Sequence, residues 1–361
     1  MAESEFTKDL AERSLLGQLG PREGLRVLQD TDLDLMDLLH ASYAVRREHF
    51  GRDEQVHIIN NASNGHCPED CSYCSQARTS EVPIEKYPPK EEEEILAEAG
   101  RAHAAGAHRY CMVFAGRGPS EKRTATLARV IRRIKETYAI EVCVSAGLLD
   151  EGKARVLKDA GLDRYNHNLN TSEATYEKIC TTHGYADRLQ TVRSARNAGL
   201  DVCSGMIVGM GESADEVVEV ATTLGGLGAS SIPVNFLLPF DGTTIQSSQR
   251  LTPEYCLRVL CMFRLLNPRA EVRIAAGREV HLRSLQPLGL YPANSLFLEG
   301  YLNSRGSGPR QTLEMIRDAG FRVVSEFDLD ALIARAEAAE LGPLVPAHAL
   351  KSRADLRPTS V

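Results

Sequence analysis

The feature that most constrains the fold is an alternation, repeated eight times after Gly51, of a short β-rich run, a polar or glycine-rich loop and a charged helical stretch. The β-rich runs are Val56 to Asn60, Arg109 to Ala115, Glu141 to Ala146, Arg164 to Asn170, Asp201 to Val208, Ser231 to Leu238, Glu271 to Ala276 and Ser295 to Leu298. The helical stretches include Glu91 to Ala105, Ser120 to Tyr138, Lys153 to Asp159, Tyr185 to Ala198, Asp215 to Leu227 and Pro253 to Leu266. This order gives parallel strands with right-handed crossovers, so eight units predict an α/β fold of the (β/α)8 TIM-barrel type.

A loop rich in cysteine follows the first β-rich run, where barrels of this type carry their working residues. It reads Cys67-Pro68-Glu69-Asp70-Cys71-Ser72-Tyr73-Cys74, a CxxxCxxC spacing, and is called the cysteine loop below. Zinc is disfavoured because no second pair with the usual spacing occurs in the 361 residues. The proline and the two acids mark a loop, which disfavours three buried packing thiols. Three thiolates suit a 4Fe-4S cluster with one iron open to another ligand.

A second set of candidate ligands recurs at one position of different strands. The runs Arg109-Tyr110-Cys111, Glu141-Val142-Cys143, Asp201-Val202-Cys203 and Glu271-Val272-Arg273 each begin with a charge and carry their special residue third. Side chains alternate along a strand, so equivalent places face the same side and the four converge in the barrel interior. Any one cysteine could be ordinary core packing. Together they predict a second metal site, whose thiolate-bound cluster would compensate the buried arginine.

Composition narrows the class of partner. The chain is 43% hydrophobic and 25% charged, as in ordinary soluble proteins, and its net charge of -7 argues against a nucleic-acid partner. No apolar signal region or membrane-length apolar stretch is present, so we expect a cytoplasmic protein with no membrane contact and a small-molecule substrate. Nine cysteines, an odd number in clustered spacing, favour reduced thiols and metal ligands over disulfides.

The CxxxCxxC spacing, with Tyr73 before the third cysteine, resembles the signature of the radical S-adenosylmethionine (SAM) superfamily. In that superfamily the three thiolates hold a 4Fe-4S cluster, SAM chelates the fourth iron, and one electron cleaves SAM to a 5′-deoxyadenosyl radical. The resemblance therefore implies SAM and a 4Fe-4S cluster on Cys67, Cys71 and Cys74.

From about Val56 to Phe321 the chain resembles the biotin synthase family. Matching blocks are Tyr165 to Leu169, Cys203 to Gly205, Ile207 to Glu212, Ile232 to Phe236 and Ala276 to Glu279. In that family three cysteines and an arginine, matched by Cys111, Cys143, Cys203 and Arg273, hold a 2Fe-2S cluster. The resemblance implies conversion of dethiobiotin to biotin. A radical removes hydrogen from C9, the carbon takes a sulfide of the 2Fe-2S cluster, and a second SAM activates C6 to close the ring.

Candidate contacts with the small molecules accompany this resemblance. Asn168 and Asn235 offer neutral donors and acceptors to an uncharged ureido ring, and their alternative role is turn stabilisation. Asn170 stands where many members have an aspartate and loses a charge-assisted bond to the ribose. Further candidates near SAM, by position, are Tyr73, Arg188 and Ala115 to Gly118. Cys180, Cys256 and Cys261 are predicted to be structural. No side chain is expected to act as a general acid or base, because the cofactor carries the chemistry.

The predicted organisation is an N-terminal helical extension (1–50), the barrel (51–325) and a partly mobile C-terminal tail (326–361). The resemblance also suggests a homodimer and an electron donor such as flavodoxin or ferredoxin. Two alternatives stay open: another radical SAM barrel enzyme, of the hydrogenase maturase type, and an iron-sulfur scaffold or electron carrier without a substrate. The second would leave the two asparagines and the glycine-rich strand ends unexplained.

Overall fold

Strands and helices alternate after three N-terminal helices in the computed structural model, which describes residues 3–245, 251–339 and 348–358. The helices are α1 (Glu3–Leu15), α2 (Pro21–Gln29), α3 (Leu35–Phe50), α4 (Glu92–Ala104), α5 (Glu121–Thr137), α6 (Glu151–Asp159), α7 (Glu173–Ile179), α8 (Tyr185–Asn197), α9 (Ala214–Gly226), α10 (Pro253–Leu266), α11 (Arg278–His281), α12 (Gln286–Gly289), α13 (Pro309–Asp318), α14 (Leu329–Ala339) and α15 (Arg353–Leu356). The strands are β1 (Asp53–Ser63), β2 (Arg109–Phe114), β3 (Glu141–Ser145), β4 (Arg164–Asn166), β5 (Asp201–Cys203), β6 (Met206–Val208), β7 (Ser231–Phe236), β8 (Glu271–Ile274), β9 (Ser295–Phe297) and β10 (Arg322–Val323).

The sheet closes into a barrel because β1 pairs in parallel with β2 on one side and with β9 on the other. All eight predicted β-rich runs lie in its wall, so the predicted (β/α)8 barrel is confirmed. The short strand β10 pairs with the start of β1 next to the closed barrel. Within the described ranges, no helix is both long enough and apolar enough to cross a membrane.

The fifth β-rich run forms two strands rather than one, with Ser204 and Gly205 between β5 and β6. A Cβ atom at Gly205 would lie only 1.9 Å from the carbonyl oxygen of Pro233, so only glycine fits against β7. The Gly205 carbonyl accepts from the Asn170 N–H (3.0 Å), and the Asn170 carbonyl accepts from Ile207 (2.8 Å). This break therefore draws the segment after β4 against β6, at the carboxyl end of the barrel.

Charged residues that begin several strands form a buried network at the amino-terminal end of the barrel. Arg109 donates to Glu141 (2.8 Å) and to Glu271 (2.9 Å). Glu271 also accepts from Ser295 (2.9 Å) and lies 3.1 Å from His57. Buried charges are tolerated when they are paired and hydrogen-bonded. The network therefore ties β1, β2, β3, β8 and β9 together at one level.

The N-terminal helices pack on the outside of the barrel, chiefly against α10. Arg258 of α10 donates to the carbonyl oxygens of Val27, Asp30 and Leu33, and Ser14 donates to Leu265. Carbonyls at the end of α2 are satisfied in this way. The packing agrees with the helical segment expected over residues 1–50, while the division into domains stays a prediction.

The described end of the chain, residues 348–358, is called the tail segment. Leu350 forms an antiparallel bridge with Ser304, in the loop that follows β9. Farther along, the Leu356 carbonyl accepts from Lys90 (2.5 Å), whose ammonium also donates to Glu98 (2.6 Å) and Asn60 (2.9 Å). The tail segment is thus fastened to the barrel. Mobility of the tail stays a prediction, and its residues 340–347 and 359–361 lie outside the described residues.

Replacing Lys90 tests this attachment. Lys90→Met leaves the buried carboxylate of Glu98 with only the more distant cation Arg101 (3.7 Å), so the free energy of unfolding should fall by about 3 kcal/mol in urea denaturation. The double variant Lys90→Met, Glu98→Leu removes both charges and should recover most of the loss. Equal stability of the single variant and the native chain would contradict a stabilising role for this pair.

Candidate active site

The cysteine loop follows β1 and is anchored on the segment after α7. The Asp70 carboxylate accepts from the backbone N–H groups of Thr181 (3.0 Å) and Thr182 (3.3 Å). The Glu69 carboxylate lies 2.5 Å from the Thr182 hydroxyl and 2.5 Å from His183. Both acids of the loop therefore act as anchors. The thiols of the loop remain as its available metal ligands.

The three thiols of the cysteine loop lie in a site that solvent reaches only partly. Cys71 is buried, and Cys67 and Cys74 are half-buried. Burial raises the pKa of Cys74 to about 11 and also raises that of Cys67. Deprotonation of buried thiols becomes favourable when a cation accepts them. The donor type and the spacing therefore fit an iron-sulfur cluster.

Cys180 lies beside the cysteine loop, with its sulfur 3.8 Å from that of Cys71. Metal ligands in proteins are commonly histidine, cysteine or acidic side chains. Among the described residues, one group of three such side chains has its ligand atoms close enough to share a single ion: Cys71, Cys180 and His183. Ligands of a cluster bind different irons and need not meet at one point. The other two cysteines predicted to be structural, Cys256 and Cys261, are buried in α10.

Cys111, Cys143, Cys203 and Arg273, called the strand ligand set, line one narrow chamber inside the barrel. Cys111 and Cys143 are direct neighbours in the pairing of β2 with β3. The Cys203 thiol of β5 donates to the Ser231 hydroxyl (3.6 Å) of β7. One Nη atom of Arg273 lies 3.8 Å from the Cys203 sulfur. The structure thus brings together the four side chains that strand position predicted.

Electrostatics in the chamber favour thiolates. The hydrogen bond with Cys143, helped by the charge of Arg273, holds the pKa of Cys203 well below its usual range. A hydrogen bond with Cys143 likewise lowers the pKa of Cys111, and Arg273 again adds to the effect. Those same bonds keep the proton on Cys143 and raise its pKa. Hydrogen bonding and the charge of Arg273 thus favour the thiolate form at two of the three sulfurs, which is the form that ligates iron.

Arg273 already has a counter-charge in the protein. Glu271, two residues earlier on the same face of β8, pairs with the Arg273 guanidinium. Burial alone would raise the pKa of Glu271, but Arg109 and Arg273 outweigh burial and hold that pKa well below its usual range. The expectation that a cluster compensates Arg273 was therefore incomplete, because the sequence argument overlooked the carboxylate at the start of the same run.

A cavity of about 230 Å³ adjoins the chamber of the strand ligand set. Cys74 of the cysteine loop lines it, and four of its lining residues also line the chamber of the strand ligand set: Val113, Ser145, Asn166 and Tyr301. The predicted small-molecule contacts on its wall are Tyr73, Asn168, Asn170, Arg188 and Asn235. A larger cavity of about 750 Å³ lies under the tail segment, and none of the predicted site residues lines it.

The two asparagines predicted to contact substrate also stabilise the backbone. Asn168 accepts from the Gly205 N–H (3.0 Å), and Asn235 donates to the Met206 carbonyl (3.0 Å) and accepts from Ala276 (3.2 Å). The turn-stabilising alternative is therefore realised in part. No described residue accepts from the Asn168 amide nitrogen, which lies on the cavity wall with its donors available.

Asn170 and Arg188 are held in fixed orientations. Asn170 has φ +70°, a left-handed conformation that asparagine tolerates, and its amide nitrogen lies 2.5 Å from the Tyr73 hydroxyl. Arg188 donates to the Asn168 carbonyl (2.7 Å) and to the Tyr176 hydroxyl. None of Ala115 to Gly118 lines the cavity, and the Ala115 N–H donates to the Ser63 hydroxyl (2.9 Å), so a contact of this segment with SAM stays a prediction.

Sequence reasoning missed Asn303, which lines the cavity from the loop after β9. Its amide donates to Asn64 (3.0 Å) and to Ser75 (3.2 Å), directly after the cysteine loop. The same loop pairs with the tail segment through Ser304. A signal was present, because polar residues after a barrel strand lie at the working end.

Glu271→Gln tests the buried network. Arg273 would lose its carboxylate partner and Arg109 would keep only Glu141, so the free energy of unfolding should fall by about 3 kcal/mol at pH 7. The lowered pKa of Glu271 means that its contribution is complete above the unfolded carboxyl pKa of about 4.3 and is lost as pH falls further. The stability difference between native and variant chains should therefore shrink in acid.

The matched control is Glu141→Gln, at the half-exposed partner of Arg109. Because that pair is partly solvated, its loss should lower stability by about 1 kcal/mol or less in the same urea titrations. Equal losses for the two variants would contradict the central place of Glu271.

Comparison with known proteins identifies the family of the chain. Residues 63–224 match the model of the radical SAM superfamily, and residues 233–322 match that of the biotin and thiamin synthesis associated domain. The biotin synthase of Magnetococcus marinus is 55% identical over 87% of this chain and 98% of its own length. The biotin synthase of Bacillus licheniformis is 44% identical over 91% of this chain and 98% of its own length.

Solved structures agree on the fold. An FeFe-hydrogenase maturase from Carboxydothermus hydrogenoformans superposes with a TM-score of 0.76 at 19% identity, covering 90% of this chain and 81% of the maturase. A methylornithine synthase superposes with a TM-score of 0.71 at 20% identity, covering 93% of this chain and 97% of its own. At such identities the likeness concerns the barrel alone. Sequence identity near one half over nearly the whole length decides between the relatives, and the chain belongs to the biotin synthase family.

Proposed function

We propose that this chain converts dethiobiotin to biotin by SAM-dependent radical sulfur insertion. The observation that carries the proposal is a single cavity that Cys74 of the cysteine loop lines and that shares four wall residues with the chamber of the strand ligand set. Family membership supports it, since a radical SAM enzyme implies a 4Fe-4S cluster, SAM and an electron donor, and a biotin synthase implies a 2Fe-2S cluster and a small-molecule substrate. A single thiol set would not by itself account for a cavity that borders both sets.

In this proposal Cys67, Cys71 and Cys74 hold the 4Fe-4S cluster. With SAM bound, that cluster supplies a radical able to remove hydrogen from an unactivated C–H bond. Arg188, which donates to Tyr176 and to the Asn168 carbonyl, presents its guanidinium to the carboxylate of SAM. Asn170 can accept from a ribose hydroxyl through its amide oxygen, because its nitrogen is engaged by Tyr73. An aspartate there would add charge to that bond.

Dethiobiotin then occupies the cavity with its uncharged ureido ring at the two asparagines. The available Asn168 amide nitrogen can donate to the ureido carbonyl, while the oxygen of the same amide stays fixed by Gly205. Asn235 is held by two backbone bonds and can use its second N–H and second lone pair. Neutral amides that backbone hydrogen bonds already hold in place are suited to orient a substrate whose ring carries no charge.

The strand ligand set holds the 2Fe-2S cluster, which serves as the sulfur-donating substrate. Lowered pKa values at Cys111 and Cys203 favour the thiolate ligands that it needs. The chamber shares four wall residues with the cavity, so a substrate carbon in the cavity lies next to the sulfur source. A homodimer, a cytoplasmic location and flavodoxin or ferredoxin as the electron donor remain part of the proposal.

Product analysis tests the reaction. The reconstituted chain is incubated without oxygen with SAM, a one-electron reductant and dethiobiotin, and 5′-deoxyadenosine and biotin are quantified by mass spectrometry. Both products are expected. Deoxyadenosine without biotin would contradict the substrate, and neither product from chains with both clusters would favour the iron-sulfur scaffold. Omission of SAM is the control that should abolish both.

Ligand substitution tests the two sets separately. Serine at Cys111, Cys143 or Cys203 should remove the 2Fe-2S absorption and leave the 4Fe-4S spectrum, and serine at Cys71 should do the reverse. Arg273→Ala should alter the 2Fe-2S spectrum. The matched control Cys256→Ser changes a buried helical thiol and should leave both spectra native. Survival of both clusters in all strand variants would show that the second site is assigned wrongly.

A further inference from the structure

His183 connects the cysteine loop to a cationic side chain of the cavity wall. Its Nδ1 atom lies 2.5 Å from the Glu69 carboxylate, and Glu69 stands between two of the loop's cysteines. Its Nε2 atom lies 3.0 Å from an Nη atom of Arg188. All three side chains are buried. The imidazole thus spans the gap between the loop and the wall.

The partners of the imidazole fix which nitrogen carries the proton. A guanidinium has only donors, so the Arg188 contact requires an accepting lone pair on Nε2. The proton must then lie on Nδ1, from which it is donated to Glu69 (2.5 Å), the nearer of two partners, since the Cys180 sulfur lies 3.4 Å from the same nitrogen. Each ring nitrogen therefore makes a different hydrogen bond: Nδ1 donates and Nε2 accepts. Together the two bonds fix the orientation of the imidazole.

Arg188 has its other directions fixed as well. It donates to the Tyr176 hydroxyl and to the backbone carbonyl of Asn168. The guanidinium is planar and rigid, so its orientation depends on all of these partners. Without the His183 contact, one buried N–H donor of Arg188 would have no acceptor, and the guanidinium could rotate away from the cavity.

We propose that His183 is a positioning residue. It holds the guanidinium of Arg188 at a fixed distance from the cysteine loop, so that one SAM molecule can contact both. This rests on the proposed function, in which the loop holds the 4Fe-4S cluster and Arg188 receives the SAM carboxylate. His183 touches neither SAM nor the reacting atoms. It acts on the cysteine loop and on Arg188, which contact SAM in this proposal and belong to two separate segments of the chain. His183 holds them at a fixed distance from each other.

Two substitutions separate positioning from mere filling of space. His183→Phe keeps a ring but loses both hydrogen bonds, whereas His183→Gln keeps a donor and an acceptor on one amide. The dissociation constant of SAM is measured by anaerobic calorimetry on reconstituted full-length chain, with iron content and the 4Fe-4S spectrum recorded beside it. The matched control is His103→Phe, at a histidine that pairs with Glu326 (2.9 Å) away from the site.

The phenylalanine variant should bind SAM about tenfold more weakly, with native iron content and a native spectrum, because a bond to a charged group is lost. The glutamine variant should recover most of that affinity, and the His103 control should bind as the native chain does. Unchanged affinity in the phenylalanine variant would overturn the proposal. Equal affinity in the two His183 variants would overturn it too, as would loss of the cluster, which would make His183 structural.

The native chain in the same series keeps the two proposals separate. Its 5′-deoxyadenosine and biotin are measured at saturating SAM. Absence of both products with intact SAM binding would contradict the proposed function, while the affinities of the His183 variants would still be read. Native products with unchanged variant affinities would contradict only the role of His183.

Discussion

The buried carboxylate of Glu271 is the interaction on which the interior of this barrel depends. It balances the guanidinium groups of Arg109 and Arg273, and hydrogen bonds from neighbouring strands complete its shell. An unpaired charge at this depth would destabilise the fold by several kcal/mol, so the strands must keep the register that brings these groups together. Side chains alternate along each strand, and the layer directly above the network is therefore the strand ligand set.

The two sets of thiols are held by different means. The strand ligand set lies on paired strands, where backbone hydrogen bonds fix each position. The cysteine loop has no such frame and depends on its own acids, which bind the segment after α7. The cavity borders both arrangements, because Cys74 of the anchored loop lines it and four of its wall residues also line the chamber of the rigid interior set.

Periodicity and strand position sufficed to predict the barrel, the cysteine loop after β1 and the convergence of the strand ligand set, because they depend only on alternation and parallel pairing. The break at Gly205 was not predicted, since it arises from close approach to Pro233 across the sheet. The contact of Cys180 with Cys71 and the docking of the tail segment on Lys90 join distant parts of the chain. No local pattern reports such contacts.

The pairing of Glu271 with Arg273 also bears on the proposed reaction. If a cluster supplied the only counter-charge, its consumption as a sulfur donor would leave a buried guanidinium unpaired, at a large cost in stability. Glu271 removes that difficulty, because it compensates Arg273 whether or not a cluster is present. In the proposed reaction, the chamber would therefore lose sulfide while Arg273 kept its carboxylate partner.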